Sequence, residues 1–152
     1  MYSAILLLHS WVRWIVIAAG LVAVFRGAAG SSGHRSWTPS DDRAGFWFTM
    51  ALDFQVLIGI VLYAFLSPLT GAAMRDMGAA MKDTALRFWA VEHAFGMVIA
   101  LVLVHVGRVR VRKSDSLRRH WTAAIFFGLA LVVILASIPW PFTPTGRSLL
   151  RW

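Results

Sequence analysis

Residues 121–138 read WTAAIFFGLALVVILASI, a stretch that carries no charged side chain. An α-helix of this length rises about 27 Å, close to the ~30 Å of hydrocarbon in a bilayer. Three similar blocks precede it, at residues 4–25, 46–66 and 88–106. Backbone groups must be paired internally in lipid, and these runs lack the two-residue alternation of barrel strands. The sequence therefore predicts an all-α membrane protein with four transmembrane helices.

The composition also indicates a membrane protein. The chain has 152 residues, of which 59% are hydrophobic and 14% are charged, whereas a soluble domain is about half apolar and about a quarter charged. The net charge of +8 comes from basic residues in short connections, where topology signals lie, so no nucleic-acid partner is expected. Because there is no cysteine, disulfides, thiolate metal sites and iron–sulfur clusters held by this chain are excluded.

The connections between the blocks are short, which predicts a single domain over residues 1–152, folded as an up-down-up-down four-helix bundle. Basic residues are concentrated in the first and third connections: Arg26, Arg35, Arg43, Arg108, Arg110, Arg112, Lys113, Arg118 and Arg119. The positive-inside rule places both connections in the cytoplasm and both termini on the periplasmic side. The first block lacks a preceding basic residue and a small-residue cleavage site, so we expect a mature helix rather than a signal peptide.

His9 and His93 are the most informative polar residues within the blocks. Each lies about five residues from the outer end of its helix, so equal rise per residue puts both at nearly equal depth. In the predicted bundle their helices run parallel, on a diagonal of roughly 12–14 Å. Two imidazoles that ligate one iron need about this separation between helix axes. The pair therefore predicts haem b between the first and third helices, with His9 and His93 as the metal ligands.

Neighbouring residues fit the same interpretation. Gly20 and Gly96 share roughly the helix faces of the two histidines and would leave room for a flat macrocycle. Arg13 and Arg87 lie near the outer ends of the same helices, where a guanidinium can pair with a haem propionate. Small residues in membrane helices also serve close packing, and polar residues there also form hydrogen bonds between helices. Packing, quinone contact and ion handling therefore stay open as alternatives for the histidine pair.

The remaining ionisable residues within the blocks are also candidates, because a charged group inside a span is costly. Asp53 is expected either to neutralise an arginine on the cytoplasmic side or to accept protons beside a quinone. Glu92 is expected to pair with a nearby arginine or to stabilise a charged site in the bundle. His105 has no histidine at its depth in the first helix, so no second haem is expected. His34 and His120 fall in connections, where we expect them to be solvated.

Motifs spread over nearly the whole chain carry a family resemblance. They are Leu8-His9-Ser10-Trp11-Val12-Arg13-Trp14, Gln55 with Gly59 and Leu62-Tyr63, Met81-Lys82-Asp83, Leu86-Arg87-Phe88-Trp89-Ala90-Val91-Glu92-His93, and Ile138-Pro139-Trp140-Pro141. Together they resemble small bacterial four-helix membrane proteins labelled cytochrome b. The resemblance implies the four-helix fold, the bacterial inner membrane as the location, and His9 and His93 as axial haem ligands. It implies no particular reaction.

These observations favour a b-type cytochrome-like protein or subunit that transfers electrons through one haem. No Ser-His-Asp or metal-hydrolase spacing occurs, so we assign no catalytic residue and do not expect an enzyme by itself. The expected partners are the lipid bilayer with a quinone, a redox protein or other membrane subunits. The alternative is a cofactor-free accessory or structural subunit of a larger membrane complex, and a third hypothesis is a small transporter. A reduced-minus-oxidised spectrum separates the first two.

Overall fold

The computed structural model describes residues 1–148, apart from the side chain of residue 117. This part of the chain is helical and contains no strand. Its α-helices are α1 (Tyr2–Ser32), α2 (Pro39–Val61), α3 (Pro68–Arg75), α4 (Met77–Ala80), α5 (Thr84–Arg87), α6 (His93–Lys113) and α7 (Ser116–Ala136). One π-helical turn, Leu62–Leu66, extends α2, and another, Phe88–Glu92, joins α5 to α6.

Four helical stretches are long and apolar enough to cross a membrane: Tyr2–Ser32, Pro39–Leu66, Thr84–Lys113 and Arg118–Ala136. This agrees with the prediction of an all-α chain with four membrane-length helices. The first three predicted blocks lie inside the helices that the structure shows. The fourth helix begins earlier than the apolar block and ends at Ala136 rather than at residue 138. Apolar length therefore locates the helices but not their ends, which depend on capping and packing.

Helix α1 continues to Ser32, although the stretch rich in Gly and Ser that begins at residue 27 predicts a connection. Gly27 and Gly30 explain the difference, because both lie directly against α7. A Cβ on Gly27 would meet the backbone nitrogen of Ala124 at 2.8 Å, and a Cβ on Gly30 would overlap the His120 ring. This close contact between helices offsets the low helix propensity of glycine.

The start of α2 is fixed by a buried carboxylate. Thr38 precedes Pro39, a pattern typical of a helix start, and Asp41 accepts a hydrogen bond of 2.9 Å from the Thr38 backbone N–H. Asp41 is only 3% exposed. Its Oδ1 also pairs with Arg26 at 2.9 Å and with Arg35 at 2.8 Å. The end of α1 and the start of α2 are therefore held together by one ion-pair network.

The long helices surround one core but leave a gap on one side. Helix α1 packs along α2 and α7, and α6 packs along α7, whereas α2 and α6 contact each other over a short stretch. Fully buried Phe48, Leu52, Val104 and Phe127 fill the centre. Helices α1 and α6 therefore occupy opposite corners of the bundle, and a cleft opens between α2 and α6. We call it the α2–α6 cleft.

The short helices α3 to α5 follow α2, and α3 lines the α2–α6 cleft through Leu69 and Thr70. Ala73, Ala80 and Ala90 form a small buried cluster beneath them. The Tyr63 hydroxyl donates a 2.8 Å hydrogen bond to the Ala90 carbonyl, and the Thr70 hydroxyl donates one of 2.8 Å to the Tyr63 carbonyl. These bonds tie the end of α2 to the segment that leads into α6.

Candidate functional site

The site is built around two histidines from opposite corners of the bundle. His9 lies on α1, and His93 is the first residue of α6, directly after the π-helical turn. The centroids of their imidazole rings are 6.4 Å apart, and the ring planes are inclined at 73°. The structure thus brings together the two histidines that the sequence singles out, although 83 intervening residues separate their segments.

The orientation of His93 is fixed by a hydrogen bond. Its Nδ1 lies 2.8 Å from the backbone carbonyl oxygen of Ser137, at the end of α7. Because a carbonyl oxygen only accepts, Nδ1 must carry the proton and donate it. In the neutral ring Nε2 then holds the free lone pair. This is the arrangement that a metal-binding imidazole requires, with one nitrogen free and the other held by an acceptor.

His9 is held less directly, through its backbone and its neighbours. The Gln55 side-chain amide donates a 3.0 Å hydrogen bond to the His9 carbonyl, which links α2 to α1. A Cβ on Gly59 would lie 3.4 Å from the His9 ring, so glycine at this position keeps the ring's surroundings open. Within residues 1–148, the buried His9 Nδ1 and the Gln55 Oε1 find no hydrogen-bond partner. Buried polar atoms of this kind usually meet an ordered water or a bound group.

Two cavities meet at the histidine pair. The larger is the α2–α6 cleft, with a volume of about 580 Å³, and both histidines, Gln55 and Gly59 line it. This volume falls within the ~300–1,000 Å³ typical of small-molecule and cofactor sites. The smaller cavity, about 60 Å³, lies towards the bundle core and is lined by the same two histidines together with Arg13. The pair therefore borders both cavities, whose walls are mostly apolar.

Two arginines stand beside the histidines, and the sequence pointed to only one of them. Arg13 lines the small cavity, as its position one turn from His9 predicts. Arg147 lines both cavities, and its guanidinium lies 4.6 Å from the centre of the Trp89 ring. The tail reaches this place by folding back after α7, where the Arg147 N–H donates to the Pro139 carbonyl at 3.2 Å. The Pro-Trp-Pro closure of the fourth block was the one available signal for such a turn.

Arg87 lies elsewhere. Its Nε pairs with Glu92 at 2.7 Å, and its Nη1 donates to the Met81 carbonyl at 3.2 Å. Neither cavity is lined by Arg87. The expected pairing of Glu92 with a nearby arginine is thus present. Its partner is Arg87, the residue that the sequence analysis also proposed as a partner of a haem propionate.

Gly20 and Gly96 lie at helix contacts rather than along the cavity walls. A Cβ on Gly20 would come within 2.9 Å of the Phe48 ring, and a Cβ on Gly96 would overlap the Ser137 hydroxyl. Gly96 therefore brings α6 close to the end of α7, where the Ser137 carbonyl holds His93. Its contribution to the site is the position of this acceptor.

The other candidate residues are separate from this site. His105 Nε2 and Asp53 Oδ1 lie 2.8 Å apart, between α6 and α2, so the observed partner of Asp53 is a histidine and not the expected arginine. The prediction of a solvated His120 is wrong. Because α1 extends to Ser32 and α7 begins at Ser116, His120 is enclosed between Gly30 and Trp37 and is only 1% exposed. Its ring nitrogens have no hydrogen-bond partner within residues 1–148.

The chemistry of the pair is restricted by what surrounds it. In the part of the chain that the structure describes, no three His, Cys, Asp or Glu side chains lie close enough to hold a metal ion. A closed protein site for zinc needs four ligands and a catalytic one needs three. Two histidines suit a metal whose other ligands come from a non-protein group. Comparison with protein-family models, curated proteins and solved structures gives no match.

Proposed function

We propose that the protein is a membrane-embedded, b-type cytochrome-like electron-transfer protein or subunit that binds one haem b through His9 and His93. The observation that carries the proposal is the 6.4 Å separation of the two imidazole centroids. Metal–imidazole bonds are about 2 Å long, and a ring centre lies about 1.2 Å behind its nitrogen, so two rings on opposite sides of one metal would have centroids about 6.4 Å apart. Rings on a shared axis can be rotated freely about it, which accommodates the 73° inclination.

The surroundings support haem in three further ways. His93 has Nδ1 engaged by a carbonyl and Nε2 available for a metal. The α2–α6 cleft offers about 580 Å³ of mostly apolar space beside both rings. The buried Gln55 Oε1 and His9 Nδ1 have no hydrogen-bond partner within residues 1–148, as expected of polar atoms that contact a bound group or an ordered water.

Each residue of the site then has a distinct role. His9 and His93 would supply the axial nitrogens, and Ser137 would keep His93 in the required tautomer. Arg13 and Arg147 line the cavities that meet at the pair, so they would bind the haem carboxylates by charge-assisted hydrogen bonds. The bound haem would supply one-electron chemistry, with its potential set by the axial ligands and the apolar walls. The resemblance to small bacterial proteins labelled cytochrome b supports the same assignment.

The proposal includes a location and a topology. The four helices would cross the bacterial inner membrane as an up-down-up-down bundle, with both termini on the periplasmic side. The concentration of Lys and Arg in residues 108–119 supports this orientation. A quinone, a redox protein or another membrane subunit would exchange electrons with the site.

The test is a reduced-minus-oxidised absorption spectrum of the purified full-length protein. We expect a b-type α band in the wild type and its loss, or a high-spin spectrum, after His9→Ala or His93→Ala. His105→Ala is the matched control, because this histidine also lies in a membrane-length helix yet lines neither cavity. A wild-type protein without haem would refute the proposal and favour a cofactor-free accessory subunit. A low-spin spectrum retained in either ligand variant would refute the assignment of that ligand.

A further inference from the structure

A second polar site lies between α2 and α6, away from the histidine pair. His105 Nε2 and Asp53 Oδ1 are 2.8 Å apart, and this contact, which is an ion pair only when the imidazole is protonated, joins two helices that otherwise have little contact. The side chains remain 53% and 31% exposed, respectively. Neither residue lines the two cavities at the histidine pair. The ion pair is therefore a separate feature on the outer surface of the bundle.

The surface around the ion pair is apolar. On α2, Met50 and Leu57 lie one turn to either side of Asp53, and on α6 Val102 and Val109 lie one turn to either side of His105. All four are exposed by 45% or more. Such a surface on membrane-length helices faces lipid, where a histidine–carboxylate pair is costly and usually functional.

The ion pair also has hydrogen-bonding capacity left over. Within residues 1–148, only His105 Nε2 and Asp53 Oδ1 are engaged with each other, which leaves His105 Nδ1 and Asp53 Oδ2 without partners. In hydrocarbon no water is present to satisfy these atoms. A ligand that occupies the site must therefore dissolve in the membrane and form hydrogen bonds with these atoms.

We infer that the His105–Asp53 pair binds the head group of a membrane-soluble quinone, with the tail of the quinone remaining in the lipid. When only Nε2 carries a proton, Nδ1 accepts a hydrogen bond from a quinol hydroxyl. When Nδ1 is also protonated, it donates to a quinone carbonyl. One pair of side chains can thus hold both forms of the same molecule. The inference concerns binding only and uses neither His9 nor His93.

The depth of the ion pair favours a quinone over a phospholipid head group. At 1.5 Å per residue, Asp53 lies about 15 Å along α2 from Arg43, roughly half of the ~30 Å hydrocarbon thickness. Arg108, one turn beyond His105, reaches back to Asp42 at 3.0 Å, which places that charge near the start of α2. Lipid phosphates stay at the level of those charged groups, whereas a quinone ring can enter the hydrocarbon.

The test is photolabelling of the full-length protein in lipid nanodiscs with an azido-ubiquinone, followed by peptide mapping. We expect labels within residues 50–57 and 102–109, and their loss when unlabelled decylubiquinone is added in excess. His105→Leu and Asp53→Leu should each weaken this competition about tenfold, the effect of losing one good hydrogen bond. Glu92→Gln is the control, because it breaks a different ion pair, the one with Arg87, without touching the site.

Two results would overturn the inference. One is labelling of the wild type that spreads over lipid-facing residues of α7, such as Val132, as strongly as over the two expected segments. The other is competition that neither substitution weakens. If a variant does not fold, the positions labelled in the wild-type protein alone decide whether the quinone binds at the His105–Asp53 pair. The haem spectrum is not part of this readout, so failure here and failure of the haem proposal are distinguishable.

Discussion

The contact between Gly96 and Ser137 offers a sharp test of how the structure positions His93. In Gly96→Ala the new Cβ would overlap the Ser137 hydroxyl and lie 3.2 Å from its Cβ. The hydroxyl is not free to move, because it donates a 2.8 Å hydrogen bond to the Val133 carbonyl. Either this bond breaks or the end of α7 shifts, and a shift withdraws the carbonyl that holds His93 at 2.8 Å.

The size of the effect follows from these contacts. Overpacking of this kind costs about 1–3 kcal/mol, and loss of one hydrogen bond adds about 1 kcal/mol. Alanine gains about 1 kcal/mol over glycine within a helix. We therefore expect Gly96→Ala to lower the free energy of unfolding by about 1–3 kcal/mol. Ser137→Ala removes the overlapping oxygen, so the double variant should recover most of this loss.

The measurement is denaturant unfolding in mixed micelles, followed by tryptophan fluorescence, as a double-mutant cycle. Gly128→Ala is the matched control, because a Cβ on this helical glycine would meet nothing within 4 Å. It should leave stability unchanged or raise it. A Gly96→Ala variant as stable as Gly128→Ala, or a loss that Ser137→Ala does not relieve, would contradict a clash between residues 96 and 137. In a haem-loaded protein, Gly96→Ala should also lower haem retention through His93.

Three other changes test separate parts of the structure. Gly30→Ala should cost about 2 kcal/mol, because the Cβ overlaps the His120 ring, and His120→Ala in the same chain should restore unfolding stability towards wild type. Asp41→Asn should lower the free energy of unfolding by about 2 kcal/mol in the same assay, because Arg26 and Arg35 lose their shared carboxylate. A free energy of unfolding equal to that of the wild type would contradict the ion-pair network. A periplasm-dependent reporter should be active when inserted within residues 67–83 and inactive within residues 108–120; the reverse result would invert the proposed topology.

The sequence by itself determined the helical class, the membrane-length helices and the pairing of His9 with His93. Apolar length and the need to pair backbone groups in lipid are properties of each segment alone, so they can be read without knowing the neighbours. The depth of a residue follows from its distance along the helix. Two histidines at equal depth on opposite helices were therefore foreseeable, and the centroids of their rings lie 6.4 Å apart.

Only the tertiary structure decided which side chains surround the pair. Arg147 lies beside the histidine pair because the tail turns back after α7, whereas Arg87 pairs with Glu92 instead. Gly96 and Gly30 keep helices close together, and His120 is buried because α1 is longer than its apolar block. These outcomes depend on the rotation of each helix about its axis and on the path of the segments between them. Both are set by contacts between residues far apart in the chain, which no local pattern encodes.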